Sequence, residues 1–266
     1  MNSGRAAFVR AARWHFGTSG GLLQRSYRFY SVEAAGMKTG AAYSKPARAV
    51  SMPSDLAIPQ RYLDGVANVL GRLPIAPINE FVDRLFQAYR SNRSVYVFGN
   101  GGSAALASHC ACDLNKGTTT DGIRPFRVTS LTDNVPLITA WANDTRYDEI
   151  FAAQLRPLIQ TDDVAFAISG SGNSPNVLNA VRTARDAGGI VLGLTGFQGG
   201  KMAALCDLCI IVPSDNMQQI EDSHQCVMHA VFLALASLIR NADPNSSAKA
   251  AVAGNLRSQA FEQGRD

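Results

Sequence analysis

The sequence predicts an α/β fold, a three-layer α/β/α sandwich built on a five-stranded parallel sheet. Five short apolar segments, rich in β-branched and aromatic residues, alternate along the chain with segments of helical periodicity. Strands that alternate with helices connect through right-handed crossovers, so they form a parallel sheet that is covered on both faces. The predicted strands are residues 95–98, 127–131, 164–168, 190–194 and 208–212.

Helical segments precede, separate and follow these strands. Two leading helices are predicted at 58–70 and 77–91, and a long C-terminal helix at about 218–240. The second half of that last helix is apolar nearly all round, which predicts burial between subunits. It is too short and too interrupted to indicate a membrane span. The helices between the strands are predicted at 104–114, 134–142, 148–158, 175–187 and 201–205.

Composition divides the chain into three parts. The 266 residues are 46% hydrophobic and 17% charged, with a formal net charge of +4. Residues 1–54 hold eight Lys and Arg against one acid, a net +7, which leaves −3 for the remainder. The remainder therefore gives no reason to expect nucleic acid as a partner. We predict a basic leader at 1–54, one folded domain at 55–242 and a polar tail at 243–266.

The leader has the composition of an organellar transit peptide, because it contains Arg and Ser, has few acids and carries scattered aromatic residues. Alternatively it is a disordered basic extension, or translated sequence upstream of a true start at Met37 or Met52. The expected location is the cytoplasm, or an organellar matrix if the leader is a transit peptide.

The five cysteines are odd in number and all lie in the folded domain, which favours a reducing compartment. Cys206 and Cys209 have the spacing of a redox or zinc pair. They run directly into a predicted strand, however, and no second pair of suitable spacing accompanies them. We interpret them as core packing.

A glycine-rich turn follows the first predicted strand and precedes a helix. Glycines at such a point let the backbone approach a ligand, while the first N–H groups of the helix and the hydroxyl of Ser103 can donate to phosphate oxygens. No Lys follows as in a P-loop, and the spacing is not that of a dinucleotide fingerprint. A tight turn without a ligand is the alternative.

A second turn of the same kind follows the third strand. Ser169, Gly170, Ser171 and Ser174 lie there, and Pro175 opens the next helix, where its missing N–H costs no hydrogen bond. Hydroxyl groups and glycines at a helix N-terminus form a phosphate cradle. Two such turns at one edge of one sheet indicate a ligand site more strongly than either does alone.

The segments GNGGSAALASH at 99–109 and SGSGNSPNVLNA at 169–180 resemble the sugar isomerase (SIS) domain, in particular its phosphoheptose isomerase branch. The resemblance covers about 58–240 and implies the SIS fold, a phosphorylated sugar as substrate and a homotetramer with active sites between subunits. It implies substrate contacts from Asn100, Gly101, Gly102, Asn143, Asp144, Ser169, Gly170, Ser171 and Ser174.

The resemblance also implies a zinc site between two helices. His109 and Asp113 are four residues apart on one helix, while Glu221, Gln225 and His229 follow at the same interval on the last helix. A solvated polar face is the alternative for the last helix. In the resembling enzymes, the zinc ligands occupy the positions that match His109, Asp113, Glu221 and His229. The resemblance also implies that Asp113 is the base and His229 the acid. Asp113 here replaces Glu and Glu221 replaces Gln, and Glu221 is also a candidate substrate contact.

Three functions remain open. The first is a sugar phosphate isomerase acting on sedoheptulose 7-phosphate. The second is a non-catalytic SIS protein that binds a sugar phosphate or a protein partner, as the replication-initiator-associating proteins do. The third is a related enzyme that acts on another sugar phosphate.

Overall fold

A computed structural model of the chain describes residues 57–119 and 123–242. The predicted leader and tail lie outside these residues. The described elements are α1 (Ile58–Leu70), α2 (Ile75–Arg90), β1 (Val95–Gly99), α3 (Gly102–Gly117), β2 (Val128–Ser130), α4 (Val135–Asp144), a 3-10 turn (Tyr147–Glu149), α5 (Ala152–Leu155), β3 (Val164–Ser169), α6 (Pro175–Asp186), β4 (Ile190–Thr195), α7 (Gly200–Ala203), β5 (Leu208–Ile211) and α8 (Met217–Asn241).

The five strands form one parallel sheet in the order β2-β1-β3-β4-β5. Val97 of the interior strand β1 pairs with Ser130 of the edge strand β2 and with Phe166 of the central strand β3. The predicted five-stranded parallel sheet is confirmed. Because β1 and β3 are neighbours, the turns that follow them lie side by side at the carboxyl edge of the sheet, where ligands bind in such folds.

Alternate strand residues face opposite layers of helices. Val97 and Phe166 belong to the core shared with α2, α3 and α8, while Phe98 and Ala165 belong to the core shared with α5 and α6. This two-residue period is that of a pleated strand buried on both faces. The edge-on contact of Phe81 with Phe166, at 5.0 Å between ring centroids, ties α2 to the sheet.

The predicted helix 148–158 is wrong in its extent. The structure has only the 3-10 turn and the short helix α5 there, and residues 150–155 are all buried. Pro157 lacks an N–H group and its ring clashes with the preceding turn, so the helix cannot continue. The buried Gln154 donates its amide to the backbone carbonyls of Ile150 at 2.7 Å and Leu131 at 3.2 Å, so its polar group is hydrogen-bonded within the core and ties this segment to the residue that follows β2.

Helix α8 is longer than predicted, at 25 residues. Among the described helices it is the one whose length and composition would suffice to cross a membrane, which corrects the expectation that it is too short. Its apolar character has another explanation, because residues such as Ile220, Val227 and Leu235 are buried in the core of the domain. Leu233 remains 65% exposed on the opposite face.

Candidate active site and metal centre

The first strand-end turn, residues 99–103, joins β1 to α3. Gly101 immediately precedes the helix at φ +53°, a conformation that residues with a Cβ rarely adopt. None of the described side chains caps this helix N-terminus. Its first N–H groups are therefore available to an anion, as the sequence predicts, although Ser103 is itself buried.

The second strand-end turn, residues 169–174, joins β3 to α6. Gly172 has φ +63°, and Ser174 precedes the helix without capping it. The hydroxyl oxygens of Ser169 and Ser174 lie 3.4 Å apart. The hydroxyl of Ser171 accepts a hydrogen bond from the backbone N–H of Asn173 at 3.2 Å. This turn likewise presents an uncapped helix N-terminus, here with hydroxyl groups around it.

A pair of asparagine side chains joins the two turns. Asn100 and the buried Asn176 each donate an amide N–H to the other's carbonyl oxygen at 2.8 Å, and the hydroxyl of Tyr147 donates to Asn100 at 3.3 Å. Asn100 was predicted as a site residue and Asn176 was not. The pair fixes the spacing of the two turns, because a reciprocal amide pair holds both backbones in register.

Three of the four predicted metal ligands come together where α3 packs on α8. His109, Asp113 and His229 place ligand atoms within 4.8 Å of one another. Nε2 of His109 lies 3.2 Å from Oδ2 of Asp113 and 3.4 Å from Nε2 of His229, which is itself 3.8 Å from the same carboxylate oxygen. The two histidines are exposed, so the group is open to solvent.

Gln225 completes this group, although the sequence analysis gave it no role. Its amide nitrogen lies 2.9 Å from Nε2 of His229 and 3.5 Å from Nδ1 of His109. Gln225 precedes His229 by one helical turn, and that spacing was the signal in the sequence.

Glu221 lies apart from the other three predicted ligands. Its carboxylate oxygens lie 2.9 and 3.0 Å from the position that a Cβ on Gly102 would occupy, at the start of α3. There it lines a cavity of about 190 Å³ together with Ser103, Gln225 and His224. Glu221 therefore lies in front of the first strand-end turn, and Gln225 lies between Glu221 and the cluster of His109, Asp113 and His229.

A sequence model described as the SIS domain matches residues 61–196. The chain belongs to the SIS domain family. The phosphoheptose isomerase of Rhodospirillum rubrum is 46% identical to it over 140 residues, which are 53% of this chain and 74% of that protein.

Two solved structures are similar to this SIS domain. They are phosphoheptose isomerases from Neisseria gonorrhoeae, with TM-score 0.64 and 29% identity, and from Francisella tularensis, with TM-score 0.65 and 28% identity. The first match covers 69% of this chain and 97% of the other, and the second covers 70% and 100%. The predicted SIS fold and the phosphoheptose isomerase branch are thus confirmed.

His224 is a further buried polar group of the SIS domain, facing the cavity beside Glu221. The side chain is 1% exposed, and Nε2 has no hydrogen-bond partner among the described residues. Burial lowers the pKa of His224 to about 4, against a smaller opposing effect of a hydrogen bond to the backbone of Thr195. The imidazole is therefore neutral at pH 7. His224 follows Glu221 by three residues, a spacing that predicts a neighbouring face of the helix, so the sequence predicts for it no role beyond support of the ligand residues.

Asn143 and Asp144 lie exposed at the end of α4. The amide of Asn143 donates to the carboxylate of Asp144 at 2.8 Å, and neither side chain has a hydrogen bond to the strand-end turns among the described residues. Tyr147, which follows them closely, does reach Asn100. The segment thus adjoins the first turn, while its two predicted contacts face solvent.

Proposed function

We propose that this SIS domain protein is a phosphoheptose isomerase that interconverts sedoheptulose 7-phosphate and its aldose isomer. The observation that carries the proposal is the cluster of His109, Asp113 and His229, with ligand atoms within 4.8 Å, in a domain with two uncapped helix N-termini at adjacent strand ends. The identity to the phosphoheptose isomerase of Rhodospirillum rubrum supports the same activity.

In this proposal the two strand-end turns bind the phosphate group. The N-termini of α3 and α6 offer N–H groups and the positive end of the helix dipole. Ser169, Ser171 and Ser174 add hydroxyl donors around the second turn. The Asn100–Asn176 pair links Asn100 of the first turn to the start of α6, which follows the second turn.

The cluster of His109, Asp113 and His229 fits zinc, because two imidazoles and one carboxylate are ligands that zinc prefers. Both histidines are exposed to solvent, which leaves room for a substrate. When bound, zinc would polarise the oxygen atoms on the first two carbons of the sugar. His109, Asp113 and His229 would hold it, with the amide nitrogen of Gln225 2.9 Å from Nε2 of His229 at the edge of the cluster. Glu221 stands apart as a carboxylate that faces substrate at the start of α3.

Aldose-ketose isomerisation moves a proton between C1 and C2 through an enediol, so it needs a base beside these carbons and an acid near the oxygen. The carboxylate of Asp113, beside both imidazoles, takes the proton from carbon in our proposal. The imidazole of His229 donates to the oxygen that gains it.

The proposal includes a homotetramer. Helix α4 has no buried residue and exposes Val135 and Leu137, and Leu233 of α8 is exposed as well. Exposed apolar helix faces of this kind indicate an interface between copies of a chain. For the location we propose an organellar matrix if the basic leader is a transit peptide, and otherwise the cytoplasm.

Metal analysis of the full chain, combined with turnover on sugar phosphates of seven, six and five carbons, tests the activity. We expect one zinc ion per chain and the highest turnover on the seven-carbon substrate. A chelator should abolish turnover, and added zinc should restore it.

Asp113→Asn should abolish turnover, whereas the matched control Asp186→Asn, on the exposed end of α6, should leave it unchanged. A metal-free protein that binds sugar phosphate without isomerising it would contradict the proposal and identify a binding protein.

A further inference from the structure

Cys206 and Cys209 converge above the backbone of β4. A Cβ built on Gly193 would lie 2.6 Å from Sγ of Cys206 and 2.9 Å from Sγ of Cys209. Both sulfur atoms thus lie beside the space that the Cβ of any other residue at position 193 would occupy. Both residues are free cysteines and only half-buried, in contrast to Cys110, which is 2% exposed.

The two thiols are chemically unequal. Cys206 donates a hydrogen bond to the sulfur of Cys209, which lowers the pKa of Cys209 although burial opposes this effect. The same hydrogen bond, together with burial, raises the pKa of Cys206. Since the thiolate is the reactive form of cysteine, Cys209 is the nucleophile of the pair and Cys206 is the thiol that follows it.

We propose that Cys206 and Cys209 form a redox-active dithiol, which a small-molecule disulfide converts into an intrachain disulfide. The thiolate of Cys209 attacks one sulfur of the small disulfide, which forms a mixed disulfide and releases one thiolate. Cys206 then loses its proton to the solvent and attacks Sγ of Cys209, which forms the Cys206–Cys209 bond and releases the second thiolate. The two protein thiols are oxidised and the small disulfide is reduced to two thiols.

The dithiol is connected to the second strand-end turn through α7. The backbone N–H of Cys206 donates to the carbonyl of Met202 at 3.2 Å, and that of Met202 donates to the carbonyl of Gly172 at 2.9 Å. The N–H of Lys201 donates to the side chain of Asn173 at 3.1 Å. A covalent bond between the two sulfur atoms restricts the position of Cys206, and these hydrogen bonds connect that residue to the second strand-end turn. The consequence of this restriction for the turn rests on the proposed function.

Thiol alkylation of the full chain tests the dithiol without any activity assay. After incubation with glutathione disulfide, we expect Cys206 and Cys209 to resist alkylation without carrying glutathione, and a linked peptide that has lost two hydrogen atoms in mass spectrometry. Cys206→Ser should retain glutathione on Cys209, since the second thiol is missing, whereas Cys209→Ser should leave Cys206 free. Cys112→Ser and Cys226→Ser, which remove exposed thiols, serve as matched controls and should still form the disulfide.

If wild-type Cys206 and Cys209 both remain alkylatable while Cys112 and Cys226 react with glutathione disulfide, the pair is core packing only and the dithiol is overturned. The connection to the turn is tested by sugar phosphate affinity, for which we expect Kd to rise about fivefold or more on oxidation. A disulfide that forms without changing Kd would overturn that connection alone. A reduced protein that binds no sugar phosphate would contradict the proposed function, whereas the alkylation result would stand.

Discussion

The turn between β1 and α3 lies open to solvent, whereas the turn between β3 and α6 is packed against the molecule. A Cβ on Gly101 would meet no heavy atom of the described residues within 4 Å. A Cβ on Gly172 would lie 2.1 Å from the carbonyl oxygen of Gly199 and 3.0 Å from Oγ1 of Thr195. Both glycines have positive φ, at +53° and +63°, so a positive φ occurs in two different surroundings.

This difference separates two roles within one site. The helix that leaves the open turn carries His109 and Asp113, beside His229, while the packed turn carries hydroxyl groups and is supported by α7. Changes on the α3 side should therefore affect chemistry, and changes in the packed turn should affect stability and binding. Five variants break or sharpen this contrast.

The largest effect is expected from His229→Ala. It removes one proposed metal ligand and the proposed acid together, so bound zinc should be lost and turnover should fall by about 100- to 10,000-fold. Elemental analysis and kinetics measure both quantities, with the exposed Cys226→Ala on the same helix as control. Unchanged metal content and turnover would remove the chemistry from the α3 side.

Gly172→Ala and Gly101→Ala compare the two turns directly. Each substitution places a Cβ at positive φ, which costs about 1 to 3 kcal/mol of folding free energy. At Gly172 the new methyl group also meets backbone atoms, so this variant should be less stable than Gly101→Ala by about a further 1 to 3 kcal/mol. Denaturant unfolding measures the difference, and equal losses would show that the packed turn can relax.

His224 adjoins both turns. It lines the cavity at Ser103 of the first turn, and it forms a hydrogen bond with the backbone of Thr195, whose hydroxyl donates to the carbonyl of Gly170 in the second turn. Its folded pKa of about 4 lies below the unfolded value of 6.5, so the unfolded state binds the proton more strongly. Its contribution to stability is present above pH 6.5 and is lost as the pH falls from 6.5 through 4. The loss should reach about 3 kcal/mol at most. His224→Gln should show a shallower fall in unfolding free energy over this range; an unchanged slope would show that His224 does not cause it.

The smallest effect is expected from Ser171→Ala. This change removes one hydroxyl donor of the packed turn, so sugar phosphate binding should weaken by about 1 to 2 kcal/mol. The unfolding free energy should fall by no more than about 1 kcal/mol, because the N–H of the exposed Asn173 that loses this acceptor can bond to water instead. Calorimetry measures the affinity, with the exposed Ser237→Ala on α8 as control. An unchanged affinity would exclude this hydroxyl from the site.

The elements of the fold could be predicted because they depend on local periodicity. The five strands were predicted to within one residue at each end, since each is a short apolar segment between turn residues. The helix predicted at 148–158 failed because residues 150–155 are buried all round and Pro157 stops the helix. Burial on every side leaves no polar face from which a helical period can be recognised.

The candidate site could be predicted within one helix but not between helices. Four-residue spacing places His109 beside Asp113 whatever the rest of the fold does. Glu221 precedes His229 by eight residues, so their backbones lie about 12 Å apart along α8, and in the structure Glu221 reaches the open turn instead. Gln225, at half that separation, lies beside His229.

The sequence by itself determined the parallel sheet, the two strand-end turns and the pairing of His109 with Asp113, because these depend on residues that are near one another along the chain. Only the tertiary structure decided which residue of α8 meets α3, that Asn100 pairs with Asn176, and that Cys206 and Cys209 share the space above Gly193. Those contacts depend on how helices and sheet pack. Packing is set by the shapes of many distant side chains together, and no local spacing records it.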